Sequence, residues 1–136
     1  MPDKPPVIAE LVWSHDLEFG ATSGSTAIVI DGNGVAGPSP VHTLAMALAG
    51  CMSSDIVDIV QKGRHQLTAF RVKVSGERAP TPPRRLVAVS LDFTLHTTAP
   101  EAAVERAIAL SRDKYCSVWH SLRQDIAFST SFQIHP

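Results

Sequence analysis

Hydrophobic and polar positions alternate most regularly from Val87 to His96, where Val87, Val89, Leu91, Phe93 and Leu95 are separated by Ala88, Ser90, Asp92, Thr94 and His96. A period of two is the mark of a strand with one buried face. Leu67 to Val74 repeats it, with Phe70, Val72 and Val74 opposed to Arg71, Lys73 and Ser75. Gly76 to Arg84 joins the two runs and holds Pro80, Pro82 and Pro83, which cannot continue a ladder, so an antiparallel pair with a loop is expected. Near the start, Val7 to Trp13 and Ala27 to Asp31 are short β-branched runs separated by the Gly/Ser/Thr-rich Gly20 to Ser25. The second ends in Asp31-Gly32-Asn33-Gly34, a turn signal, and together they predict an N-terminal pair of strands. A last strand is expected where Ile126, Phe128, Phe132 and Ile134 alternate with Ala127, Ser129, Ser131 and Gln133.

The pattern changes at Ser39. Ser39 suits an N-cap, Pro40 the first helical position, and Gly63 the stop after Lys62. A helix of about 23 residues, about 35 Å long, fits between them. Its first half, Leu44 to Ala49, is apolar all round, so it is expected to be buried on every side. Thr98 and Glu101 have the spacing of a capping box, which opens a second helix ending around Ser111, and a short helical segment from Ser117 to Leu122 follows. The order β-β-α-β-β-α-α-β gives an α+β fold of antiparallel sheets with helices packed on them, as a single domain over residues 1–136. One-sided sheets leave one face of an all-round apolar helix uncovered, and a symmetric homodimer burying two such helices together resolves this.

Composition narrows the function. Hydrophobic residues make up 44% and charged ones 18%, ordinary for a packed domain, and a net charge of -1 gives no basic surface for nucleic acid. The polar, proline-rich stretch from Met1 to Pro6 does not read as a secretory signal. Leu44 to Val60 is interrupted by Ser53, Ser54, Asp55 and Asp58, so it reads as a buried helix rather than a membrane span. A cytoplasmic setting follows, where a persistent structural disulfide is uncommon and a transient one is chemistry.

Only two cysteines occur, Cys51 and Cys116, 65 positions apart. Cys51 lies mid-helix among small residues in Ala49-Gly50-Cys51-Met52, where a free cysteine is also a common core filler. Cys116, in Lys114-Tyr115-Cys116-Ser117-Val118, falls at the N-terminus of the short helix, where backbone amides and Lys114 favour a thiolate. Asp55 and Asp58 follow Cys51 at i+4 and i+7 on the same face, where negative charge opposes a thiolate; as a polar strip they also suit Lys62 and Arg64 as partners. The six histidines form no spaced ligand pair, and neither a metal nor a cofactor is expected. His42 precedes Cys51 by nine residues, roughly 13 Å along the axis, so it reaches Cys51 only across a dimer.

Read together, Gly37-Pro38-Ser39-Pro40 leading into Ala47-Leu48-Ala49-Gly50-Cys51, then Ser75-Gly76-Glu77-Arg78, then Leu110 to Val118 around Cys116, resemble the OsmC/Ohr family over nearly the whole chain. The resemblance implies an intertwined homodimer whose sheets wrap two long central helices. It also implies reduction of organic hydroperoxides, with Cys51 forming a sulfenic acid, Cys116 closing a disulfide, and an external dithiol restoring both. Peroxidases of that family carry an arginine on the N-terminal strands and a glutamate just after the helix-opening proline. Here no arginine precedes Arg64, and Val41 stands in the glutamate's place beside His42. The chain thus resembles the OsmC-like branch that lacks both. Arg78 and a partner's His42 are the candidates to support the thiolate, and Ser23, Ser25 and Thr26 occupy the region where the arginine would stand. The alternative is a non-peroxidase protein that binds an apolar small molecule, or senses oxidants, in the same dimer cleft.

Overall fold

The computed structural model describes residues 4–136, so the polar start read from the sequence lies partly outside the described residues. They form two compact units, one running to Leu44 and the other from Ala45 to Pro136.

The first unit is a meander of three antiparallel strands, β1 (Glu10–His15), β2 (Glu18–Ser23) and β3 (Thr26–Asp31), in the order β1-β2-β3. The expected strand pair is therefore a triplet. Gly20 to Ser25, read as a separator, supplies most of β2, whose Gly20 pairs with Val12 on one side and Val29 on the other. Ladder bonds on both edges outweigh the low strand propensity of Gly and Ser. One face of this sheet is apolar, with Leu11, Ala21 and Ile28 in one register row and Trp13, Phe19 and Ile30 in another.

Asp31 ends β3 and organises the turn beyond it. Its carboxylate accepts backbone N–H bonds from Asn33 at 2.9 Å, Val35 at 3.2 Å and Ala36 at 3.0 Å. Those bonds, with Ala36 and Asn33 foremost, hold its pKa below the usual 3.8. Gly37 has no room for a Cβ, which would run into the Val29 carbonyl.

Helix α1 spans Pro40–Lys62, as its start and stop signals predict. From Ala45 onward it belongs to the second unit, where it buries Leu48, Ala49, Met52, Ile56 and Val60. By length and composition alone it is apolar enough to cross a membrane. Its buried stripe closes one core with Val89, Leu91, Phe93 and Leu95 of β5, which suits the core helix of a soluble protein. Within one chain only that stripe is covered, and Leu44 is 40% and Met46 56% exposed.

β4 (Leu67–Arg78) and β5 (Leu86–Thr97) pair antiparallel, with the proline-rich stretch as their loop. β6 (Ala127–His135) joins the other edge of β5 in parallel, a departure from all-antiparallel sheets. The reason is the intervening α2 (Glu101–Leu110), which carries the chain back along the sheet as a crossover. The capping box is not formed. Pro100 is the N-cap without a side-chain bond, because Thr98 Oγ1 instead accepts the Gln66 N–H at 2.9 Å.

Candidate active site

Cys51 sits on α1 in the second unit, half-buried against the core, and Cys116 lies in that core with no exposed surface. Both thiols are free. What delivers Cys116 is a change of helical winding. After α2 the chain continues as a π-helical turn, Ser111–Tyr115, closed by a 2.8 Å bond from the Cys116 N–H to the Ser111 carbonyl. Beyond it the chain turns and forms a single 3-10 turn at Trp119–Ser121, shorter than the helical segment the sequence suggests.

The thiols are neighbours. Burial pushes the Cys116 thiol up to about 11, and the adjoining Cys51 thiol adds to the rise; the Trp119 N–H, 3.3 Å from Cys116 Sγ, opposes it without overcoming it. The expectation of a Cys116 thiolate is thus overturned. Desolvation in a fully buried position exceeds the gain from one or two amides at the start of a very short helix. Cys116 is protonated at neutral pH.

The polar groups that reach the pair are the Ser117 hydroxyl, 3.9 Å from Cys51 Sγ, and the amides of Trp119 and Val118 at Cys116. Asp55, one turn beyond Cys51, accepts a 2.7 Å bond from the buried Ser111 hydroxyl. Asp58 pairs with Lys62 at 2.9 Å, as the polar-strip reading expects. A cleft of about 460 Å³ runs along this face, lined by Asp55, Asp58, Ile59, Lys62, Leu110 and Tyr115.

Of the sequence candidates, Cys51, Cys116 and Asp55 come together here. Arg78 does not join them: it is exposed, and its Nε donates to the Arg84 carbonyl at 2.8 Å, bracing the β4–β5 loop. His42 belongs to the first unit, where its exposed ring meets Ser39 Oγ at 2.6 Å. Ser23 and Thr26 in that unit donate to the carbonyls of Ile8 and Ser23, each at 2.7 Å. Ser111 and Ser117 were not singled out from the sequence. Ser111 continues the apolar stripe of Val104, Ala107 and Ile108 on α2, which marks its side chain as inward but not its partner, and Ser117 takes its direction only after the π turn.

Two units with these strand orders, a long core helix and a free thiol pair between that helix and the return from α2 define the OsmC-like class. Residues 31–131 match the family model described as OsmC-like protein, and the chain belongs to that family. It is 36% identical over 129 residues to Protein YhfA of Escherichia coli strain K12, covering 93% of this chain and 96% of YhfA. Among solved structures, a hypothetical protein from Aquifex aeolicus VF5 superposes with a TM-score of 0.89 at 21% identity, covering 97% of this chain and 98% of that one. An organic hydroperoxide resistance protein OsmC from Legionella pneumophila superposes at 0.71 with 14% identity, covering 97% and 99%. At those identities the two structures establish the fold.

Proposed function

We propose that the protein reduces organic hydroperoxides through its two thiols. The observation that carries this reading is the adjacency of a half-buried Cys51 and a fully buried, protonated Cys116. Cys51 is the thiol a substrate reaches, and its thiolate attacks the terminal peroxide oxygen. The O–O bond breaks, an alcohol leaves, and Cys51 becomes a sulfenic acid. Cys116 then displaces water from that sulfenate: the S–S bond forms, and the Cys116 proton leaves with the hydroxyl. An external dithiol reduces the disulfide, giving back two thiols and leaving as its own disulfide. A solved neighbour named as an organic hydroperoxide resistance protein supports this choice of substrate.

The working form is a homodimer in the cytoplasm. The apolar face of the first sheet, with Leu11, Trp13 and Ile28 exposed, and the uncovered Leu44 and Met46 of α1 are supports for it, since a soluble protein rarely leaves so much apolar surface open. The Ser117 hydroxyl takes the place of the missing arginine as hydrogen-bond donor to the Cys51 thiolate, and nucleic acid, membrane, metal and cofactor have no part.

Asp55 favours a second reading. A carboxylate one turn from Cys51, in a chain without the guanidinium that peroxidases of the family carry on their N-terminal strands, suits a protein that binds a small apolar molecule or senses oxidants without rapid turnover. Multiple-turnover reduction of cumene hydroperoxide with excess dithiothreitol separates the two. Sustained alcohol production that vanishes in Cys51→Ser supports the peroxidase, whereas one oxidation per thiol pair followed by arrest supports the sensor.

A further inference from the structure

Ser111 carries a hydroxyl into a position with no exposed surface. An unpartnered hydroxyl there is costly, and Ser111 avoids this by donating to Asp55 Oδ2 at 2.7 Å. Asp55 is four residues after Cys51 on α1, so both project from one face of that helix. Ser111 opens the π turn and Cys116 closes it. In an α-helix residues five apart point roughly 140° away from each other, so a buried Ser111 would turn residue 116 outward. The i to i+5 bond winds the chain wider, and Ser111 and Cys116 both come out fully buried.

We propose that the Ser111–Asp55 hydrogen bond is a positioning clip for the thiol pair: it fixes the π turn to α1 one helical turn from Cys51 and thereby sets how readily Cys116 closes a disulfide with Cys51. The inference rests on the reading of these thiols as a redox pair. Cys51 is carried by α1 itself and does not depend on the clip. Cys116 depends on it, because it closes the π turn whose first residue the clip ties to α1. Removing the clip therefore lowers the effective concentration of Cys116 at Cys51 and leaves the first oxidation of Cys51 unchanged.

Equilibration in glutathione buffers tests this without peroxide: two protein thiols and one glutathione disulfide give the protein disulfide and two glutathione thiols. The closure constant, read by alkylation and intact mass, is compared for wild type, Ser111→Ala, Asp55→Asn and the double variant. Ser111→Ala is expected to lower it about tenfold, the worth of a buried hydrogen bond to a carboxylate, which raises the reduction potential by about 30 mV. Asp55→Asn keeps an acceptor of the same shape and is expected to fall between wild type and Ser111→Ala. The double variant is expected to be no worse than Ser111→Ala, because both changes act on one and the same bond. Sulfenate formation at Cys51 under peroxide, trapped with dimedone in a Cys116→Ser background, is expected to stay at its wild-type rate in Ser111→Ala.

An unchanged closure constant in Ser111→Ala, additive losses in the double variant, or equal slowing of sulfenate formation overturns the clip. Wild type that closes in glutathione but not with peroxide contradicts the peroxidase and leaves the clip standing. Wild type that closes in neither contradicts both.

Discussion

The hydroxyl of Ser117 stands 3.9 Å from the sulfur of Cys51, at the open side of a pair whose other member is fully buried. A hydroxyl is a weaker donor to a thiolate than a guanidinium, because it brings one hydrogen bond and no charge. At that length its worth sits at the low end for a hydrogen bond, so Ser117→Ala is expected to slow alkylation of Cys51 at neutral pH roughly threefold. Ser117→Thr is expected to restore the rate, and the pH profile of iodoacetamide labelling is the measurement.

Cys116 makes stability fall in alkali. Its folded pKa is raised to about 11 from an ordinary 9.0, so the unfolded chain loses this proton first as pH rises. The stabilisation is complete below about 9 and is lost as pH climbs towards 11. Thermal midpoints are expected to decline across that window in the wild type, and less steeply in Cys116→Val, where no thiol titrates.

Asp31 acts at the other end of the scale. Its amide bonds hold its pKa below 3.8, so its contribution is present above that value and is lost as pH falls through the lower folded one. Asp31→Asn is expected to lower the thermal midpoint at neutral pH and to lose less of it on acidification than wild type does.

Met46 is 56% exposed on a helix whose opposite stripe is core. If a second copy covers it, Met46→Glu buries a charge in the interface and is expected to convert a dimer to monomer, read by sedimentation velocity at micromolar concentration. The same substitution on a free surface costs little and leaves the mass unchanged.

Strong local chemistry was legible in the sequence. Ser39, Pro40 and Gly63 marked α1 to the residue, and the period-two run of Val87 to His96 marked β5. β2 escaped because Gly20 and its neighbours have poor strand propensity, and pairing on both edges decides the matter instead. The Thr98 cap failed because a distant backbone amide, that of Gln66, claimed the hydroxyl first. At the site, the cysteine pair was legible while its surroundings were not. The thiolate expected at Cys116 came from helix-terminus logic, which holds on an exposed end and gives way in a buried one. Ser111 and Asp55 are 56 residues apart, and Ser111 faces inward because it continues the buried stripe of Val104, Ala107 and Ile108 on α2; the partner it finds there comes from a distant helix.

The most direct test of the redox pair is one equivalent of cumene hydroperoxide on the fully reduced protein, followed by thiol count and intact mass. The account predicts rapid loss of both thiols, a mass decrease of about two hydrogens, and neither change in Cys51→Ser; Cys116→Ser would stop at a dimedone-reactive sulfenate on Cys51. Thiols that persist, or that oxidise no faster than free cysteine, would contradict it.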